Sequence, residues 1–506
     1  MKYPIGIQDF RELREGGYVY VDKTEYLHRI IEGGKHFFLS RPRRFGKSLL
    51  LSTINELYRG SKELFQGLWI ENHWDWEGKY WPVIWLRFAS FNYKHNELKA
   101  AIREGVEEAA ESLGIELDNR ELTHPLQQLI QKAYHHFGQK VVLLIDEYDK
   151  PIIDYLDEPE KAEANRDTLK WFYSVMKDSD PYLELVFITG VSAFSKVSIF
   201  SDLNNLYNLS LVAPARTLLG ITQEELEHYF AQPLKTVDKE EVRRWYNGYS
   251  WGGTERVYNP FSILSFFRGG GEYRNFWFET GTPTFLVKEM KKRSYFNLRD
   301  TLATQHDLNS FDLRNLQPIP ILFQTGYLTI KHYEPADLVY TLDYPNQEVR
   351  HSLQEVLLKE YLDYPSENPV PKVLRLREAM RSGHLEEAFQ IINSAFSEIP
   401  YDHWKGQTEH FYHAVVALIF SLLGTYIRSE VHSSRGRCDA LVETADRVYA
   451  LEFKLDKSAG EALQQIQDKG YLEPYADSLR QKIAVGINFS STERRIVEWE
   501  AVELYF

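Results

Sequence analysis

Apolar runs recur along this chain, each ending in polar or glycine-bearing residues, and their spacing lays out its elements. Val141-Val142-Leu143-Leu144-Ile145 has no polar break and predicts a strand buried on both faces, ending in Asp146-Glu147. Residues 183–188 repeat the pattern and end in Thr189-Gly190-Val191-Ser192. His36-Phe37-Phe38-Leu39 is a third strand, followed by a helical pattern over 49–58, and residues 81–88 are a fourth. Leu113, Leu117, Leu122, Leu126, Leu129 and Ile130 mark helical periodicity within 96–136. Strands alternating with helices predict an α/β domain with a parallel sheet over residues 1–215. The Tyr-rich residues 18–24 read as a strand and turn packed beside it.

The pattern then changes. Thr222-Gln223-Glu224-Glu225 is a helix N-terminus with acidic first-turn residues, and residues 216–300 fit a compact helical lid or winged-helix-like unit. Residues 301–400 form a linking, α-rich region, with a strand expected over 323–330, an exposed linker over 364–371 and helices over 373–396. A further α/β domain is expected over 401–506. It begins with an amphipathic helix over 407–426 and continues with short strands at 429–432, 436–442 and 447–455. In the last strand Glu452 and Lys454 are two apart and face one side, opposite Leu451, Phe453 and Leu455.

Composition narrows the classes. A chain of 506 residues is too long for one core. Its single cysteine, Cys438, excludes an intrachain disulfide and any cysteine-based zinc site. No apolar run reaches the roughly 18 residues a membrane helix needs, and residues 1–6 lack a signal-peptide core. The expectation is a cytoplasmic protein without a membrane partner. The net charge of −14 argues against a broadly basic surface, though a local basic groove suffices to bind nucleic acid. Lys288, Lys291, Lys292 and Arg293 form one basic run, read first as a solvated helix face.

Candidate chemistry sits at two places. Arg41-Pro42-Arg43-Arg44-Phe45-Gly46-Lys47-Ser48 lies between a strand and a helix, the context of a phosphate-binding loop. Lys47 would reach the β- and γ-phosphates of ATP, and Ser48 would hold Mg²⁺. Arg41 stands where the usual loop has glycine, and Pro42 stiffens it. Asp146-Glu147, at the carboxyl end of a buried strand, supplies the second half-site. Asp146 would reach Mg²⁺ through water and Glu147 would polarise the attacking water. Thr189, with Ser192 behind it, is placed to sense the γ-phosphate. The second place is Asp439 with Glu452-Phe453-Lys454, where two carboxylates could hold Mg²⁺ at a phosphodiester and Lys454 could stabilise the developing charge. Gln465, Lys469 and Tyr471 follow on a helix within reach of a phosphate backbone. Glu409 could add a carboxylate, while His410 and His413 read as ordinary helix-face residues.

The loop at 41–48 resembles that of bacterial AAA-ATPase-like proteins, and Phe187-Ile188-Thr189-Gly190-Val191-Ser192, Leu203-Asn204-Asn205-Leu206, Tyr246-Asn247-Gly248-Tyr249 and Gln324-Thr325-Gly326-Tyr327-Leu328 are similar to other recurring segments of that family. Residues 436–475 resemble the PD-(D/E)XK nuclease domain such ATPases carry, with Asp439, Glu452, Lys454 and Gln465 at its core positions. The resemblance implies a P-loop NTPase sheet, a helical or winged-helix-like middle and a C-terminal α/β nuclease-like domain. It implies that the first loop glycine is dispensable, and it makes Ala193 a departure, since a basic residue is expected there. The implied function is an ATPase controlling a Mg²⁺-dependent nuclease that acts on DNA or RNA. The alternatives are an ATP-dependent binding switch and a nucleic-acid motor that does not cut. A homo-oligomer stays open.

Overall fold

The computed structural model describes the chain except for residues 78–79, 119–123, 193–198, 200–204, 278–283, 294–297, 310–316, 363–369, 398, 400–408, 423–425 and 434–435. It divides into two compact units, one of Met1–Gly281 with Arg299–Val349, the other of Thr282–Leu298 with Arg350–Phe506.

The first unit is built on a parallel sheet of β1 (His36–Ser40), β2 (Val83–Arg87), β3 (Val141–Asp146), β4 (Leu183–Gly190) and β5 (Tyr207–Asn208), in the order β2-β3-β4-β1-β5. Every residue of β1 and β3 is buried, as expected for strands covered on both faces. The helices Lys47–Tyr58 and Pro125–Phe137 pack against β3. This strand order sets β4 between β3 and β1. The carboxyl-terminal tip of β4 therefore stands between the loop that leaves β1 and the Asp146-Glu147 turn that leaves β3.

Beyond this sheet, β6 (Ile221–Thr222), β7 (Asn247–Tyr249) and β8 (Val257–Tyr258) pair in the order β6-β8-β7. Around them, Leu226, Phe230, Val242, Tyr246, Ile263 and Phe266 form a core. The helix Gln223–Tyr229 opens with a complete capping box between Thr222 and Glu225, as its sequence predicts. Asn259 caps Pro260–Arg268 by accepting from the N–H groups of Phe261 and Ser262. A third sheet runs β10 (Thr329–Glu334), β11 (Val339–Asp343), β9 (Thr301–Thr304), antiparallel throughout.

Three expectations change here. Residues 323–330 are not one strand: the helix Pro318–Thr325 ends on Gly326, whose φ of 91° stops it, and only then does β10 begin. Proline at the first helical positions and a left-handed glycine after the last are helix boundaries; the apolar run alone hid them. The periodicity over 96–136 divides into Leu98–Ser112 and Pro125–Phe137. Residues 18–23 join two helices, Phe10–Glu15 and Thr24–Glu32, without entering a sheet.

The second unit holds the helices Val370–Ser382, Leu385–Ser397 and Glu409–Leu422 and a mixed sheet, β12 (Tyr426–Ser433) to β16 (Arg495–Leu504) in chain order, with β13 (Gly436–Glu443), β14 (Arg447–Leu455) and β15 (Gln481–Ser490) between. Only β14 and β15 run parallel, and the helix Ala459–Lys469 crosses between them. Glu409–Leu422 buries Phe411, Tyr412, Val415, Val416, Leu418 and Ile419. The rest of the helix surface lies outside the described side chains. Among the described residues, no helix is long and apolar enough to cross a membrane.

Candidate functional site

In the first unit the chain leaves β1 through a loop in which Arg44 (φ 68°) and Gly46 (φ 95°) both take the left-handed conformation. Gly46 is the N-cap of Lys47–Tyr58, so the unpaired N–H groups of that helix's first turn open beside the loop. The Lys47 side chain is buried, and its Nζ donates to the carbonyl oxygens of Arg41 (2.9 Å) and Pro42 (3.0 Å). Burial pushes its pKa down, while Asp146, Glu147 and Asp149 act to keep it charged. A cavity of about 370 Å³ opens here, lined on its polar side by Arg43, Arg44, Gly46, Lys47, Ser48 and Glu147. A smaller apolar cavity of about 110 Å³, lined by Val19, Val21, Phe45, Leu218 and Ile221 among others, shares Gly46 and Leu49 with it. A charged cradle beside an apolar recess fits a nucleotide.

The remaining loop residues are used differently. The Arg41 guanidinium is 1 % exposed; it donates to the carbonyls of Ser40, Ser210 and Ala215 and lies 3.9 Å over the Trp251 ring. Burial lowers its pKa to about 9. It bolts the loop to residues 210–215 and 251 and does not line the cavity of about 370 Å³. Phe45 packs edge-on against Tyr249 (4.8 Å) and Trp251 (5.4 Å), and a Cβ on Gly326 would come within 2.8 Å of the Pro42 side chain. The Tyr-Asn-Gly-Tyr and Gln-Thr-Gly-Tyr segments thus buttress the phosphate loop. That role was invisible in the sequence, because the contacts span two to three hundred positions and carry no local spacing.

Asp146 is buried and accepts from the Thr189 hydroxyl at 2.7 Å. Glu147 lines the cavity with φ 53°, a conformation that a non-glycine residue adopts rarely and at a cost. Ser192 donates its hydroxyl to Asp149 at 2.5 Å. Both hydroxyls expected to sense phosphate are therefore bonded to carboxylates of the β3 turn. Ala193 lies outside the described residues.

In the second unit the backbone pairing of β13 with β14 runs from Glu443 opposite Val448 to Ala440 opposite Leu451. Beyond that pair, the N–H of Phe453, two residues past Leu451, donates to the Asp439 carboxylate at 2.9 Å. The strands part there, with Asp439 and Glu452 at the fork. Glu452 is 2 % exposed; its Oε1 accepts from Lys454 Nζ at 3.0 Å and from Gln465 Nε2, while its Oε2 is buried with no hydrogen-bond partner. Burial and the neighbouring Asp439 charge push its pKa up to about 8, against the pull of Lys454. A buried carboxylate oxygen without a donor, beside a second carboxylate, is the environment a divalent cation would complete. Two carboxylates suffice for Mg²⁺, which keeps waters and substrate oxygens as its other ligands. Among the described residues no group of three or more His, Cys, Asp or Glu could hold a metal.

Other sequence candidates fall outside this cluster. Tyr471 is buried beneath Gln465 (3.5 Å) and is a core residue rather than a phosphate contact. Lys469 is exposed. The side chains of Glu409, His410 and His413 lie outside the described residues. In the basic run, Lys291 donates to the Glu360 carbonyl (2.5 Å) and Arg293 pairs with Glu289 (3.6 Å). Cys438, next to Asp439, donates its thiol to Ala440 and Leu451 carbonyls, and burial pushes its pKa up, so it is no nucleophile.

Comparison with known proteins matches a family model to each of the two domains that hold these residues. A family model described as a predicted AAA-ATPase, AAA-ATPase-like, matches residues 4–200. A PD-(D/E)XK nuclease superfamily model matches residues 407–499. A protein of Azotobacter chroococcum mcd 1, described as an uncharacterized protein in the vnfD 5' region, is 40 % identical over 508 residues, covering 98 % of each chain. No solved structure matches.

Proposed function

Because the chain belongs to the AAA-ATPase-like family and carries a C-terminal PD-(D/E)XK nuclease superfamily domain, we propose that it binds and hydrolyses ATP and thereby controls Mg²⁺-dependent cleavage of nucleic-acid phosphodiesters. The observation that carries the cleavage half is the buried, unpartnered Oε2 of Glu452 at the fork of β13 and β14. Asp439 and Glu452 would hold the cation. When bound, Mg²⁺ would polarise the scissile phosphate and acidify a water. Lys454, held at 3.0 Å by Glu452, would stabilise charge developing on the phosphate. Gln465 donates to the same Glu452 oxygen and keeps the carboxylate oriented. In the first unit Lys47 and the helix N-terminus would take the β- and γ-phosphates, Ser48 and Asp146 the cation, and Glu147 the attacking water.

The test incubates the full chain with single- and double-stranded DNA and RNA, with Mg²⁺ or Mn²⁺, with and without ATP. Lys47→Ala is expected to lower ATP turnover by about 10²–10³-fold, the usual cost of one transition-state donor, and to remove the ATP dependence of cleavage. Cleavage indifferent both to ATP and to Lys47→Ala would refute the control. Cleavage undiminished in Lys454→Ala would move the nuclease site elsewhere. Nucleic-acid binding without cutting, responsive to ATP, would replace the nuclease by a binding switch.

A further inference from the structure

We propose that Asp149, which lines no cavity described above, is a positioning residue for ATP hydrolysis: it latches the tip of β4 onto the Asp146-Glu147 turn. The inference rests on the ATPase reading of the first unit.

Asp149 is 1 % exposed. It occupies the N-cap position of the short helix Lys150–Ile153, yet its carboxylate makes no cap hydrogen bond. It reaches instead across to the chain leaving β4. There its Oδ2 accepts from the N–H groups of Val191 (3.0 Å) and Ser192 (2.6 Å) and from the Ser192 hydroxyl (2.5 Å). Charge-assisted bonds this short are the strong kind, and three of them converge on one oxygen. Its neighbour grips the same tip: the Tyr148 N–H donates to the Thr189 carbonyl (3.1 Å) and its hydroxyl to the Ser192 carbonyl (3.1 Å). The approach leaves no room for a side chain between them. A Cβ at Gly190 would lie 2.5 Å from the Tyr148 ring and 2.7 Å from Asp149 Oδ1.

The tip so held is tied to both halves of the nucleotide site. Thr189 donates to Asp146, and the Gly190 carbonyl accepts the Arg41 N–H at 3.1 Å, at the start of the phosphate loop. Lys47 and Asp149 also attract each other electrostatically. A carboxylate that touches no substrate thus fixes the strand end against which Asp146 and the loop are both registered. Glu147, between Asp146 and Asp149 in sequence, holds a costly left-handed backbone that persists only where its surroundings over-determine it. Fixing Tyr148 and Asp149 on β4 supplies that restraint.

The experiment measures steady-state ATP turnover, affinity for a fluorescent ATP analogue and thermal unfolding for wild type, Asp149→Asn and Ser192→Ala. Asp149→Asn sets an amide N–H₂ or a neutral oxygen against the three donors. If Glu147 is mis-aimed by an ångström, kcat should fall by about 10²-fold, with analogue affinity within about threefold of wild type. Ser192→Ala removes one bond of three and should give a smaller kcat loss in the same direction, at unchanged melting temperature. Ser192→Ala also decides the matter if Asp149→Asn does not fold. Wild-type kcat in either variant overturns the latch. So does a parallel loss of turnover, affinity and melting temperature, which a merely structural carboxylate would produce. Absence of ATP turnover in the wild-type arm itself would sink the ATPase reading, and the latch with it, and is distinguishable from failure in the variants alone.

Discussion

Glu452→Gln is expected to abolish cleavage and, in metal-free protein, to raise the unfolding midpoint of the C-terminal unit. The two effects have one cause. Glu452 is buried beside a second carboxylate with one oxygen unpartnered, and a buried polar atom left without a partner costs about 1–3 kcal/mol. The amide keeps an oxygen to accept from Lys454 and Gln465, as Oε1 does now. It replaces the orphan oxygen by an uncharged donor and removes the repulsion between two neighbouring carboxylates. A gain of about 1 kcal/mol follows, a trade of stability against function common at active sites. The charge that would hold the cation is gone, however, so Mg²⁺ should stabilise wild type by mass action and leave Glu452→Gln unmoved. The check is thermal unfolding in chelator and in a Mg²⁺ series, beside the cleavage assay. A variant that still cuts, or that Mg²⁺ still stabilises, removes Glu452 from the metal site. Asp439→Asn is the companion. It should lose the Mg²⁺ response too, but without the gain in stability, since its carboxylate already accepts from Phe453.

Much of this was legible from local pattern. The unbroken aliphatic run at 141–145, rich in β-branched residues and closed by a polar turn, reads as an internal strand, and the two-residue spacing of Glu452 and Lys454 puts both on one side of β14. What failed to show was of two kinds. Short apolar runs do not distinguish strand from helix, so 323–330 reads as one strand although the helix Pro318–Thr325 ends inside it on Gly326. The other kind is tertiary. Nothing near Arg41 says that its guanidinium is spent on the carbonyls of Ser210 and Ala215, or that Phe45 is walled by Tyr249 and Trp251. In the same way, Asp146, Glu147 and Asp149 form one acidic cluster in sequence, yet only Glu147 opens on the cavity. Asp146 answers Thr189, and Asp149 answers Ser192. The division follows from the order of strands, which sets β4 beside β3, and strand order is written in no single segment.

A large expected effect on folding comes from a residue with no chemistry. Gly486 lies on β15 directly opposite Glu452 on β14, and the helix Ala459–Lys469 crosses over it. A Cβ built on Gly486 would stand 2.1 Å from the Ala459 carbonyl oxygen, 2.6 Å from the Leu463 N and 3.0 Å from the Leu463 side chain. The first two are backbone atoms of a helix start and cannot rotate away, so the whole helix must lift. Overpacking of this kind costs about 1–3 kcal/mol, occasionally more, and a contact with backbone belongs at the upper end. Gly486→Ala should therefore lower the melting transition of the C-terminal unit, while ATP binding at Lys47 stays as in wild type. The lift also carries Gln465 away from Glu452, whose carboxylate it now orients. Cleavage should accordingly fall even below the melting point, where the unit is folded. Gln465→Ala separates the two consequences: it should reproduce the loss of cleavage without the loss of stability. If Gly486→Ala melts normally, the close seating of the helix on the sheet is wrong. If it melts early yet cuts normally, Gln465 does not position Glu452.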